Sequence, residues 1–117
     1  MISGIKYKQG DIVIVPFPFS NLSSIKQRPV LIISKTSYND NSEDLITCGL
    51  TSNLNNTKNS VLIENVNLEE GEIPRKSIIK VDKLFTINKS IVKRKLGRVN
   101  KLILEKVKEE LIKLINN

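Results

Sequence analysis

Chemistry in this chain has to come from arginine, lysine, hydroxyl groups and scattered carboxylates. The sequence contains no histidine and one cysteine, Cys48. That removes Ser-His-Asp triads, His-based general acid–base pairs and most zinc sites. A single cysteine cannot build a thiolate cluster, and Cys48 in "LITCGL" reads as a small core residue. The acids lie in turns rather than at metal-binding spacing, and no Gly-rich phosphate loop of the known types occurs. One stretch stands out: "VPFPFSNLSSIKQRP" at residues 15–29. An apolar strand runs into two Pro-Phe pairs, a polar loop follows, and Arg28-Pro29 opens a second apolar run. A guanidinium can hold two oxygens of one phosphate in a fork, which lysine does less well. Taken alone, an arginine at a strand start is an ordinary solvated residue.

Such residues act only where secondary structure holds them. "DIVIVPF" (Asp11–Phe17) predicts a buried strand, rich in β-branched residues and closed by Pro16 and Pro18. Residues 18–28 predict a loop, with Ser20, Asn21, Ser23 and Ser24 as turn formers. "PVLIIS" (29–34) predicts a second buried strand, starting at Pro29 because a first residue need not donate to the ladder. "SYNDNSED" (37–44) is a turn cluster, and "LITCGLTS" (45–52) a third strand with Ile46, Cys48 and Leu50 in alternation. A loop at 53–60 leads to a short strand at 61–64, and a turn at 68–75 leads to "KSIIKVDKLFTI" (76–87). That segment predicts one strand, a tight turn and the start of another. From Asn100 the apolar period becomes helical, at 103, 104, 107, 111, 114 and 115. Asn100 is placed as N-cap, with Val99 and Leu104 as a hydrophobic staple. Lys101, Glu105, Lys108, Glu109 and Lys113 face outward, so this amphipathic helix should cover one end of a sheet. The expectation is a single mainly β domain over residues 1–117, a small barrel of short strands finished by one helix.

Charge narrows the partner. The net charge is +7 and the isoelectric point near 9.6, which favours a polyanion. Residues 40–72 hold seven acids and one base, whereas residues 75–101 hold ten bases and one acid, Asp82. That segregation predicts a two-signed surface with one face suited to phosphates. The longest apolar runs, such as "VLII", are far too short to span a bilayer, and nothing resembles a secretory signal. A cytoplasmic location is expected, with no membrane partner.

Three blocks, in order, resemble the MazF/PemK family of toxin endoribonucleases. "GDIVIVPFPFSNLSSIKQRPVLIIS" (10–34) is similar to the first: a Gly-Asp start, a strand ending in a Pro-aromatic pair, a polar loop, Arg-Pro and a buried strand. "ITCGLTSN" (46–53) resembles the second, an apolar strand ending in Thr or Thr-Ser. "KSIIKVDKLFTI" (76–87) resembles the third, a Ser-containing strand with Asp-Gln, except that Lys83 stands where glutamine is usual. The resemblance implies an SH3-like barrel with a C-terminal helix, commonly a homodimer. It implies the toxin of a type II toxin–antitoxin system, cleaving single-stranded RNA at short sequences through 2′-OH attack, with no metal or cofactor. A small cognate antitoxin would lay a segment over the RNA groove.

By position in that family, Arg28 and Thr51 match catalytic residues. Arg28 would hold phosphorane oxygens, and Thr51 would donate to a phosphate oxygen or to the 5′ leaving oxygen. Phe17, Phe19, Lys26, Ser52, Lys76, Ser77, Lys83 and Lys89 are candidates for RNA contact. Phe17 and Phe19 equally suit core or loop anchoring, Ser77 a structural hydrogen bond, and Asp82 and Gly10-Asp11 turn or strand-start roles. Residues 18–28 would then line or gate the groove. No residue presents itself as general base. Two other functions fit the same barrel: a non-catalytic nucleic-acid-binding or regulatory module, and a toxin that poisons a protein target such as a topoisomerase.

Overall fold

The runs "IVIV" and "VLI" lack clean alternation because the strands that carry them are buried on both faces. In the computed structural model, which describes residues 4–18 and 25–117, these strands are β1 (Asp11–Pro18) and β2 (Ile25–Ile32). Ile12 and Leu31 enter one core, whereas Val13, Val15, Val30 and Ile32 enter a second on the opposite face. A short helix α1 (Thr36–Asp40) precedes β3 (Asp44–Thr51) and β4 (Ser60–Ile63). Then come β5 (Leu68–Gly71), β6 (Ser77–Asn88), β7 (Arg94–Val99) and helix α2 (Lys101–Ile115). The seven strands form one curled half-barrel in the order β4-β6-β3-β2-β1-β7-β5, with every pairing antiparallel.

The helix closes the first core. Ile103 and Val107 of α2 pack with Ile12, Leu31, Cys48 and Leu50. Asn100 caps it, its side chain accepting the Ile103 N–H at 2.9 Å, and Val99 and Leu104 join the same core as the staple pattern requires.

Several local expectations change. β2 begins at Ile25, so Arg28 is its fourth residue rather than its entrance, and Pro29 lies inside the strand. The reason is register: β2 pairs with β3 only from Val30 to Ile32, so the side of Pro29 that lacks an N–H faces no partner strand. Pro16 and Pro18 are accommodated likewise, because β7 pairs with β1 only over Asp11–Ile14. Residues 19–24 of the expected loop lie outside the described residues. The turn at 68–75 contains strand β5, and β7 occupies a stretch whose charges hid its pattern. In β3, Leu45 and Thr47 are buried with Cys48 and Leu50, whereas Ile46 is half-buried, because the inward phase changes at Cys48. The segment 77–88 is one strand, interrupted rather than ended.

Asp11 ties the far side of the sheet together. Its fully buried carboxylate accepts from the Lys8 backbone N–H at 2.8 Å and from Arg98 Nε at 2.9 Å, and pairs with Lys95 Nζ at 3.2 Å. Arg98 then reaches from β7 to Glu69 at 2.9 Å and Glu70 at 3.2 Å on β5. The backbones of β5 and β7 approach so closely that a Cβ on Gly71 would sit 2.1 Å from the Leu96 carbonyl oxygen. A Cβ on Gly97 would sit 2.4 Å from the Glu70 carbonyl oxygen. Gly71 also has φ +76°, so only glycine serves there without strain. Removing the buried carboxylate leaves the half-buried Arg98 guanidinium and the Lys8 N–H short of a partner. Asp11→Ala is expected to cost about 2–4 kcal/mol, and Glu70→Ala, at the exposed end of the network, less than about 1 kcal/mol. Urea unfolding midpoints at constant slope check the pair, and equal midpoints would deny Asp11 this role.

Candidate active site

The site begins with an insertion in β6. Along the β3–β6 ladder Cys48 faces Leu84, but the next residue, Gly49, faces Lys80. Val81, Asp82 and Lys83 therefore have no opposite residue on β3, a bulge that meets the demand for a turn without ending the strand. Val81 turns into the first core, and its N–H donates to the Asn59 carbonyl at 3.0 Å. Asp82 and Lys83 are left on the exposed side.

A cavity of about 770 Å³ opens beside this bulge. Arg28, Pro29 and Val30 of β2 form one wall, and Asp82 to Phe85 of β6 the other. Gly49, Leu50 and Thr51 of β3 run between them, and Asn53, Asn55 and Asn56 close one end. Gly49 pairs with Val30 in the β2–β3 ladder. A Cβ there would meet nothing nearer than Phe85 at 3.9 Å and Lys83 at 4.0 Å, so its use is to leave the cavity open rather than to relieve strain.

Arg28 and Thr51 are 23 residues apart in the chain and share this one cavity. Both are half-buried. The Thr51 oxygen accepts the Asn53 N–H at 3.1 Å, which fixes its position while its own O–H remains a donor. The loop that follows is held by its own side chains. Asn53 Oδ1 accepts from the Asn55 N–H at 3.0 Å, and Asn56 Oδ1 from the Lys58 N–H at 3.2 Å. Lys80 clamps it from below, its ammonium donating to the Asn56 carbonyl at 3.1 Å and the Lys58 carbonyl at 3.4 Å.

The other candidates are dispersed. Lys83 lines the cavity. Ser52 is exposed beside Thr51, and Lys26 is exposed two residues before Arg28 on β2. Lys76 is exposed just ahead of β6, and Lys89 lies just past its other end. Ser77 is buried, and its hydroxyl donates to the Arg75 carbonyl at 2.9 Å. The Phe17 backbone pairs with Lys26, while its side chain, and all of Phe19, lie outside the described residues. The cavity also contains residues the sequence did not single out: Gly49, Asn53, Asn55, Asn56 and Lys80. A run of asparagines between strands could have pointed to a side-chain-capped loop, but nothing in it told which side that loop would face.

Two features bear on the chemistry. Burial pushes the Cys48 thiol up to about 12, so it is a neutral space-filler beneath the bulge rather than a nucleophile. Among the described residues no three His, Cys, Asp or Glu side chains lie together as a metal site. The basic segment is also less segregated in space than in sequence, because Lys95 and Arg98 are engaged by Asp11, Glu69 and Glu70. Among the described residues no helix is long and apolar enough to cross a membrane.

Comparison with known proteins adds family and fold. No curated protein matches the chain. Its fold is similar to an endoribonuclease from a mycobacterial species solved with its cognate antitoxin, with a TM-score of 0.73 at 18% identity over 92% of each chain. It is similar also to a MazE–MazF crystal structure from Deinococcus radiodurans, with a TM-score of 0.74 at 18% identity over 95% of this chain and 97% of that one. Residues 8–115 match the family model of PemK-like, MazF-like toxins of type II toxin–antitoxin systems, a span that runs from ahead of β1 to the end of α2. The chain belongs to the PemK-like, MazF-like toxin family.

Proposed function

We propose that this protein is a metal-independent, sequence-specific endoribonuclease that cuts single-stranded RNA through attack of a ribose 2′-OH. The observation that carries the proposal is the meeting of Arg28 and Thr51 in one cavity, with Lys83 on the wall across from Arg28. The reading extends to a cytoplasmic homodimer of one domain, restrained by a cognate antitoxin. Two similarly folded proteins, an endoribonuclease with its cognate antitoxin and a MazE–MazF pair, support the restraint.

The residues suit the reaction as follows. The 2′-OH lies next to the scissile phosphate, so its attack is intramolecular and orientation replaces much of the entropic cost. The phosphorane gains negative charge, which the Arg28 fork meets with two parallel N–H bonds. The Thr51 O–H donates to a non-bridging oxygen or to the departing 5′ oxygen. Arginine stays protonated near neutral pH and cannot take up the 2′-OH proton, which passes to solvent water as the 2′ O–P bond forms and the bond to the 5′ oxygen breaks. Charge stabilisation and geometry therefore supply the rate. Mere binding does not require the Arg28–Thr51 pair.

Arg28→Ala is expected to lower cleavage at least about a hundredfold in a folded protein, the magnitude for losing one oxyanion donor. Arg28→Lys should restore little, because a point charge lacks the fork. Near-normal cutting of a long RNA by the alanine variant would sink the assignment.

Cleavage should persist in EDTA and leave a 5′-hydroxyl fragment opposite a 2′,3′-cyclic or 3′-phosphate. Replacing the single ribose 5′ to the cut by deoxyribose should stop the reaction with little change in binding. Efficient cutting of that substrate would refute 2′-OH attack.

Binding should weaken with salt at a log–log slope of about −0.7 per phosphate contact. Lys83→Ala should flatten that slope by about one contact, whereas Lys76→Ala and Lys89→Ala, outside the cavity wall, should not. A slope unmoved by loss of Lys83 would put the phosphates elsewhere.

A further inference from the structure

The loop after Thr51 has chemistry that charge stabilisation does not use. Asn53, Asn55 and Asn56 all line the cavity within five residues of Thr51. An asparagine amide ordinarily offers either end to a ligand, a carbonyl acceptor or an NH2 donor. Here two of the three are oriented. A backbone N–H can only donate, so the atom that faces the Asn55 N–H must be the oxygen of Asn53. The same holds for Asn56, whose oxygen faces the Lys58 N–H. The end of each amide not engaged by the backbone is its NH2. The loop that carries them is fixed at both sides. Its start is pinned by the Asn53 N–H on the Thr51 oxygen, and its far side by Lys80 on the Asn56 and Lys58 carbonyls.

Single-stranded RNA is read through hydrogen bonds to the edges of unstacked bases. A wall of NH2 groups accepts a base edge that carries carbonyl oxygens. It opposes one that presents an amine at the same place, cytosine N4 or adenine N6 where uracil has O4 and guanine O6, since two donors would face each other unsatisfied. We propose that Asn53 and Asn56 form a donor wall that selects keto bases, uracil or guanine, over the amino bases cytosine and adenine at a position flanking the cut. This rests on the proposed RNA cleavage and names its specificity. Lys80 acts as a positioning residue for the wall.

The test is cleavage of a pool of single-stranded RNAs randomised around the cut, with the ends sequenced. Wild-type protein should cut with at least about a tenfold preference for uracil or guanine at one flanking position, the order of discrimination per well-made base contact. Asn56→Asp keeps an oxygen for the Lys58 N–H, so the loop remains capped, but replaces the donor by an acceptor. The preference at that position should then move toward cytosine and adenine by about tenfold, read as a ratio within each digest so that an overall loss of rate does not enter. Asn53→Asp is the second variant, with the same expectation. As a measure independent of any variant, wild-type binding of uncleavable deoxy-substituted RNAs should rank uracil and guanine above cytosine and adenine at that position. A wild-type preference for amino bases, or a preference left unmoved by both aspartate variants, overturns the donor wall while leaving the nuclease assignment in place. Absence of any cutting by wild-type protein overturns the nuclease assignment instead, and the donor wall with it.

Discussion

Three residues of β6 have no opposite number on β3, and the working side of the molecule takes its shape from them. An uninterrupted ladder would carry the β3–β6 pairing straight past Gly49. The insertion of Val81, Asp82 and Lys83 instead bends β6 outward while Cys48 and Leu84 stay paired below it. One inserted residue, Val81, remains buried, so the bulge is anchored in the core and costs the sheet little packing. The other two stand at the rim of the cavity with Arg28 across from them. The cleft, its Asp82–Lys83 rim and the attachment of the asparagine loop at Val81 all follow from one local departure in register.

The opposite end of the sheet is held by charge. Burial disfavours the Arg98 cation, but hydrogen bonds to Glu69 and Asp11 and the charges of Asp11 and Glu70 outweigh it and push its pKa up. Arg98 is therefore cationic at every pH the protein meets. Burial also raises the Tyr7 phenol, with the Asp11 carboxylate adding to the shift, so that side chain stays neutral. The cluster joins β1, β7 and β5, the three strands at the end of the sheet away from the β3–β6 bulge. Its cost is that part of the segment 75–101 cannot serve an anionic ligand.

The features legible in the sequence are those with a strong local cause. The helical period from Ile103, the Asn100 cap, the buried β1, the apolar half of β2 and the end of β3 to within one residue all declare themselves locally. What was hidden depends on pairing. β7 reads "RKLGRV", whose charges mask a strand until Arg98 is seen to have Asp11 as a buried partner. Pro29 looks like a strand's first residue until the short overlap of β2 with β3 is known. "VDK" looks like a turn because a bulge and a turn place polar residues alike. In the candidate site, Arg28 and Thr51 stood out by resemblance. Gly49, Lys80 and the asparagines did not, because each contributes through what lies across from it.

The half-barrel leaves its two end strands, β4 and β5, each hydrogen-bonded to a single neighbour. Open strand edges are templates for aggregation, and their length sets the danger. Both edges here are four residues long. β4 is backed by α2 through Val61, Ile63, Ile103 and Val107, and β5 carries Glu69 and Glu70, whose carboxylates are drawn aside by Arg98. At the close contact with Gly97, β5 stops at Gly71, whose left-handed conformation turns the chain away. Among the described residues, a further copy approaching β4 or β5 finds an edge strand of only four residues to extend. The sheet can thus stay unclosed, with its cleft accessible, without inviting polymerisation.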